Sequence, residues 1–124
     1  HQLHRHYCPP LRGKNNAVAH IQRAETQQSL ALCSKSALSV ALDAKGQQYT
    51  SQSFAHQLER WLSSGRTLYF HIGGAFGFDA QQFNRFDSCW SLSTLTFPHT
   101  LVSLLVVEQL YRACSILSNH PYDK

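Results

Sequence analysis

Charge is scarce in this chain: charged residues make up 15% of it, which excludes a disordered acidic or basic tail. Runs of purely aliphatic residues are short, and none alone is long enough to span a bilayer. There is no Cys-x-x-Cys pair and no histidine at zinc-ligand spacing, so neither a zinc knuckle nor a dithiol redox motif is supported, and no metal is expected. The four cysteines, Cys8, Cys33, Cys89 and Cys114, read as separate thiols. Cys33 and Cys114 fall in apolar helical patterns, where a free thiol acts as a small hydrophobe, in keeping with a reducing cytosol. No basic segment followed by an apolar one opens the chain, so nothing points to export. Acids are missing from residues 1–24, which hold Arg5, Arg12, Lys14 and Arg23. The formal charge of +4 therefore sits entirely at the front, because residues 25–124 carry seven charges of each sign. A basic end of this kind suits a polyanion such as nucleic acid, or is simply a solvated edge.

What is present is enough for one domain. The 124 residues, 43% apolar, allow a single compact core spanning residues 1–124 and leave no room for two. Residues 2–7 suit a short strand, broken by Pro9 and Pro10, which cannot donate to a ladder. Ala17, Ile21, Ala24, Leu30 and Ala31 recur at helical intervals and predict a helix over residues 16–32. Residues 37–42 are a brief apolar run ending at Asp43 and Gly46, the signature of a buried strand. Thr50 or Ser51 can cap a helix through Phe54, Leu58, Trp61 and Leu62, stopped by Ser63-Ser64-Gly65. Residues 67–72 are a second strand, closed by Gly73-Gly74. Strand, helix, strand with short connections implies a parallel βαβ unit, so the class is α/β. Residues 79–86 suit a short helix, and residues 89–95 a further strand or extended loop. Pro98 stands where a last helix begins. Residues 101–117 are apolar nearly all round, which predicts cover on most of the circumference and a second subunit on the remainder. Glu108 and Arg112, four apart, form a helix-stabilising pair.

In parallel sheets ligands bind beyond the carboxyl ends of the strands. Three segments qualify: Leu42-Asp43, the glycine turn Gly73-Gly74-Ala75-Phe76-Gly77, and the stretch Ser93, Thr94, Leu95, Thr96, Phe97 and Pro98. The glycine spacing is neither a dinucleotide fingerprint nor a Walker loop. It is either a plain turn or a backbone that a flat ligand can approach closely. Thr96 can cap the last helix, Asp43 can satisfy nearby backbone donors, and His71 within a strand reads as structural. His99 and His120 are possible bases or ordinary surface histidines. No Ser-His-Asp set, carboxylate pair or nucleophilic cysteine is identifiable by spacing.

The segment Trp90-Ser91-Leu92-Ser93-Thr94-Leu95-Thr96-Phe97-Pro98-His99, the following Glu108-Gln109-Leu110-Tyr111-Arg112-Ala113 and the ending Asn119-His120-Pro121-Tyr122 closely resemble the RlmH family. So do residues 68–77, Leu58-Glu59-Arg60-Trp61 and Arg12-Gly13-Lys14-Asn15. These are ribosomal RNA methyltransferases of the SPOUT superfamily. The resemblance implies a parallel sheet with a C-terminal trefoil knot, a cytoplasmic homodimer joined through the C-terminal helix, and S-adenosyl-L-methionine (SAM) as methyl donor. The implied substrate is N3 of a pseudouridine in 23S rRNA of assembled ribosomes. By position, the cofactor contacts fall on Leu42, Gly74, Ser93, Thr94, Leu95, Thr96, Phe97 and Pro98. Arg12, Lys14 and Lys124 are the expected phosphate contacts, and His120 and Tyr122 the candidates for the group that removes the N3 proton.

In-line methyl transfer from a sulfonium depends on positioning rather than on a covalent nucleophile, which agrees with the missing triad. The sequence departs from the family in four places. Ser103 replaces a usual Arg, Asp123 a usual His and Phe76 a smaller or polar residue. A leading strand and helix are absent, and the chain begins with His rather than Met, so a truncated chain is expected. The alternative expectation is a SPOUT-like RNA-binding or ribosome-assembly module with weakened catalysis.

Overall fold

A computed structural model describes residues 18–73, 77–119, 121 and 122. The expected strand over residues 2–7 lies outside them. The elements are α1 (Val18–Ala31), β1 (Leu38–Gln47), α2 (Ser51–Ser63), β2 (Leu68–Ile72), the 3-10 helix η1 (Ala80–Arg85), β3 (Ser88–Trp90) and α3 (His99–Leu117). The sheet has the order β2-β1-β3, and both pairings are parallel. The α/β class therefore holds.

Side chains alternate across the sheet because the strand period is two. Leu38, Val40 and Leu42 of β1, with Leu68, Phe70 and Ile72 of β2 and Trp90 of β3, point to the face covered by α2 and α3. There they meet Phe54, Ala55, Leu58 and Trp61 of α2 and Val106 and Ala113 of α3. Phe54 and Trp90 stack with ring centroids 4.2 Å apart, and Trp61 and Phe70 pack edge to face at 6.0 Å. The opposite face carries Ser39 and Ala41 of β1, His71 of β2 and Cys89 of β3. Ala41, Phe78 and Phe86 make a smaller cluster there, flanked by Leu30, Phe83 and Cys89.

Local signals explain the borders. Thr50 caps α2: its hydroxyl accepts from the Ser53 amide at 3.0 Å, while the Thr50 amide donates to the Ser53 hydroxyl at 2.9 Å. This reciprocal box fixes the start that the sequence suggests. At the other end Gly65 adopts φ +72°, a conformation costly for residues with a Cβ. Arg66 then joins the amino ends of the strands, donating to the carbonyls of Ser36 at 2.8 Å and Ala37 at 2.6 Å.

Four expectations need correction. β1 does not end at Asp43: it bulges over residues 43–46 and pairs again at Gln47, so both Leu42 and Gln47 stand opposite Trp90. The bulge is possible because position 46 is glycine; a Cβ there would lie 2.7 Å from the Cys89 carbonyl carbon and oxygen. Pro98 is the N-cap of α3 rather than its first residue, with ψ 142°, and no side chain caps that helix. Thr96 therefore does not do so. Helix α1, expected over residues 16–32, spans Val18–Ala31, and its fully buried residue is the polar Thr26 rather than one of its periodic apolar positions. Finally, Cys33 lies beyond α1 and Cys114 is exposed, so neither behaves as a core hydrophobe.

By length and mean hydropathy, 1.4, α3 could cross a membrane, a possibility that the short aliphatic runs do not reveal. Its inner side packs on α2 and the sheet. It also carries the Glu108–Arg112 ion pair at 2.6 Å, which is costly in hydrocarbon.

Candidate active site

The register brings the three strand ends to one level. Leu42 pairs with both Ile72 and Trp90, so the segments that leave β1, β2 and β3 depart from the same edge of the sheet. Parallel pairing with equal strand ends makes such an edge a natural ligand position.

Of the three expected segments, that from Ser93 to Pro98 borders a shallow concavity of about 300 Å³ there, enclosed between residues 49–51 at the start of α2, the segment after β3 and the inner side of α3. Tyr49, Phe54 and Phe97 give it aromatic walls; Thr50, Ser51, Ser91 and Ser93 give it hydroxyls, and Gln109 an amide. No charged side chain lines it among the described residues. The segment after β3 is held by its own short bonds. The buried Ser91 hydroxyl donates to the Ser93 carbonyl at 2.9 Å, and the Leu95 amide donates to the Ser93 hydroxyl at 3.0 Å. These turns push Leu95 outward, 68% exposed, and bring Phe97 back under the segment toward α3.

Of the expected cofactor contacts, Ser93 and Phe97 line the concavity. Thr94, Leu95, Thr96 and Pro98 are exposed beside it. Leu42 is different: its side chain is buried in the core, 8% exposed, so only its backbone can meet a ligand. Gly74 lies outside the described residues, and the described flanks of its turn, Gly73 and Gly77, do not line the concavity. Tyr49, Thr50 and Gln109 were missed from the sequence. The Thr50 capping signal was legible, but its place beside the segment after β3 depends on how α2 crosses the sheet.

Tyr122 packs on α3. The Tyr122 hydroxyl donates to Glu108 Oε1 at 3.1 Å, the same oxygen that accepts from Arg112 at 2.6 and 3.0 Å. The Arg112 guanidinium lies 5.0 Å from the centre of the Tyr122 ring, and Tyr111 meets that ring edge-on at 4.7 Å. The bond to Glu108 pushes the Tyr122 phenol above its ordinary value of 10.0. Tyr122 is therefore protonated at neutral pH and acts as a donor in this arrangement. His120, Arg12, Lys14 and Lys124 lie outside the described residues.

The remaining candidates resolve more simply. Asp43 accepts from the Lys45 amide at 2.9 Å and so stabilises the bulge. His99 is exposed on the first turn of α3. His71 is buried, and desolvation lowers its pKa from 6.5 to about 4. Burial raises the thiol pKa values of Cys33 and Cys89, which leaves them unreactive. Among the described residues, no group of three or more His, Cys, Asp or Glu is placed to hold a metal ion.

A parallel sheet with a neutral, partly aromatic concavity beyond its strand ends defines a class, and the family comparison agrees with it. The family model described as "Predicted SPOUT methyltransferase" matches residues 2–123, and the chain belongs to that family of methyltransferases. Within it, the chain is 44% identical over 116 residues to the Ribosomal RNA large subunit methyltransferase H of Xylella fastidiosa (strain 9a5c), covering 94% of this chain and 73% of that protein. The protein of the same name from Hydrogenovibrio crunogenus is 41% identical over 113 residues, 91% of this chain and 72% of its own length. That from Stenotrophomonas maltophilia (strain K279a) is 42% identical over 116 residues, 94% and 74%. The RlmH resemblance in the sequence is thereby shown.

Proposed function

We propose that this protein methylates N3 of a pseudouridine in 23S rRNA of assembled ribosomes, using SAM. The observation that carries this reading is the common edge formed by Leu42, Ile72 and Trp90, with Ser93 and Phe97 lining the concavity beside it. The relatives' shared name supports rRNA as the substrate class.

The residues suit the donor's chemistry. An adenine is flat and neutral, and the aromatic walls and hydroxyls here suit such a group, whereas no cation that would hold a phosphate lines the concavity among the described residues. When bound, SAM supplies an electrophilic methyl group on a sulfonium. Phe97, Tyr49 and Phe54 exclude water from one side, while Ser93 and the backbone beyond Leu42 and Gly74 orient the ligand through hydrogen bonds. Positioning of this kind supplies much of the acceleration in a displacement. Of the two candidates for the N3 proton, His120 is the better acceptor, because Tyr122 holds its own proton more tightly than usual. Arg12, Lys14 and Lys124 contribute salt-dependent phosphate contacts.

The outer side of α3 supports a homodimer, and a ribosomal RNA substrate, which the relatives' name suggests, is in keeping with the cytoplasm. Leu104 is 65% exposed, and Leu101, Val107 and Tyr111 are exposed on the same helix. An apolar surface of this kind calls for a partner surface, and the family resemblance adds a C-terminal trefoil knot.

Two measurements test the proposal. Calorimetric titration with SAM should show binding, and Gly74→Val should weaken it severely. Ribosomes lacking the modification, incubated with labelled SAM, should incorporate label at the pseudouridine. Binding without incorporation would instead favour an RNA-binding or assembly module.

A further inference from the structure

Positive charge is concentrated at the end of the sheet away from the concavity just described. A second concavity, of about 200 Å³, opens at the amino ends of the strands, and Lys35, Arg66 and Arg85 line it together with Asp87. These are three of the seven lysines and arginines that the structure describes, whereas none of the seven lines the concavity beyond the carboxyl ends. Each comes from a different part of the chain: Lys35 from the loop after α1, Arg66 from the loop before β2 and Arg85 from the end of η1. Asp87 is already engaged. Its Oδ2 accepts from the Ser39 amide at 2.8 Å and the Ser39 hydroxyl at 3.2 Å, and lies 3.6 Å from the Arg66 guanidinium. Arg66 is fixed in turn by the carbonyls of Ser36 and Ala37. Lys35 and Arg85 form no ion pair among the described residues, and Arg85 donates to the Gln82 side-chain carbonyl at 3.4 Å.

We propose that this cationic groove is a second contact for the ribosomal RNA, taking a backbone phosphate at the edge of the sheet remote from methyl transfer, with Lys35 and Arg85 as the phosphate-binding side chains. The inference rests on the proposed rRNA substrate and extends it to residues other than Arg12, Lys14 and Lys124. Like charges gathered round one hollow repel, and folding gains nothing from holding them there. A polyanion relieves that repulsion and releases its own counterions as it binds. Lysine offers a phosphate a point charge and arginine a planar fork of donors, and Asp87 does not cancel them because Arg66 and Ser39 occupy it. No aromatic side chain lines the groove among the described residues, so nothing there stacks a base, and the contact reads backbone rather than sequence. Leu38 and Leu42 mark the two ends of the paired stretch of β1 and β2, about 13 Å apart at the rise of a strand. That is roughly four nucleotides along one strand of a helix, so an RNA that reaches both edges is a folded segment rather than a single nucleotide.

The test uses the full chain and assembled ribosomes lacking the modification, with affinity read by co-sedimentation from about 50 to about 200 mM KCl, the range over which phosphate contacts weaken. Lys35→Gln combined with Arg85→Gln should lower affinity about tenfold at the low-salt end and reduce the slope of log affinity against log salt by about two, as expected for two lost phosphate contacts. Arg60→Gln removes an exposed cation from α2 and should leave the slope unchanged. SAM affinity by calorimetry should be the same in all the variants, since none of these residues lines the first concavity. An unchanged slope in the double variant would overturn the proposal. So would an equal loss in Arg60→Gln, because net charge rather than place would then be the cause. Inorganic phosphate that binds the wild type but not the double variant, with ribosome affinity unmoved, would assign the groove to a free anion and overturn the RNA contact. Labelled SAM keeps the two readings apart: ribosomes bound with the expected slopes but left unmethylated would refute the activity while the groove stands.

Discussion

The two faces of the sheet are held by different physics. On one, α2 and α3 close over a continuous apolar core in which Phe54, Trp61, Phe70 and Trp90 pack ring against ring. On the other, α1 and η1 cover a small cluster of Ala41, Phe78 and Phe86, and hydroxyl, imidazole and carboxylate groups do much of the joining. Apolar burial is strong and tolerant of angle; a hydrogen bond contributes less and specifies geometry more tightly. The first face therefore supplies most of the stability, and the second joins α1 to β2 and η1 through directional polar ties.

This contrast makes predictions of decreasing size. Trp90→Ala removes the ring that stacks on Phe54 and borders the concavity, and should cost about 3–5 kcal/mol in chemical denaturation. A loss under 1 kcal/mol would show that the first face is not the stabilising one. Gly46→Ala sets a Cβ against the backbone of β3, and the strain of that overlap should cost about 1–3 kcal/mol. A neutral result would mean that the bulge relaxes freely. Ser29→Ala deletes one polar tie on the second face and should cost only about 1 kcal/mol, so a loss as large as that of Trp90→Ala would erase the contrast.

The second face should also respond to acid. His71 titrates near 4 in the folded chain and at 6.5 when free, so the unfolded state binds more protons between those values. The contribution is fully present above about pH 6.5 and is lost as pH falls toward 4. The difference in melting temperature between the wild type and His71→Phe should therefore change over that window and be flat above it; a change at higher pH instead would contradict this assignment. The smallest stability effect belongs to the outer side of α3. Leu104→Glu should alter unfolding of the isolated subunit by no more than about 0.5 kcal/mol, yet convert a dimer to monomers in analytical ultracentrifugation. An unchanged sedimentation coefficient would count against an interface there.

Much of this architecture could be read from residue order, and the exceptions share a cause. The apolar run over residues 37–42 and a cap at Thr50 or Ser51 mark β1 and the start of α2, because strand burial and helix capping act over a few neighbouring residues. The segment from Ser93 to Phe97 was found from its place after a strand. Tyr49, Thr50 and Gln109 were not, since each joins the concavity only through the packing of α2 and α3. The periodicity of α1 gave the helix itself, while its polar contacts with His71 and Asp79, far along the chain, left no local signal.

The sequence by itself determined the elements, the α/β class and the family, because these depend on local period, turn chemistry and motif identity. Only tertiary structure decided that Leu42 offers backbone rather than side chain, that Tyr122 donates a hydrogen bond to Glu108, and that Thr26 meets Asp79 and Ser29 meets His71. Burial and hydrogen-bond partnership belong to pairs of distant residues. No window along the chain contains both members.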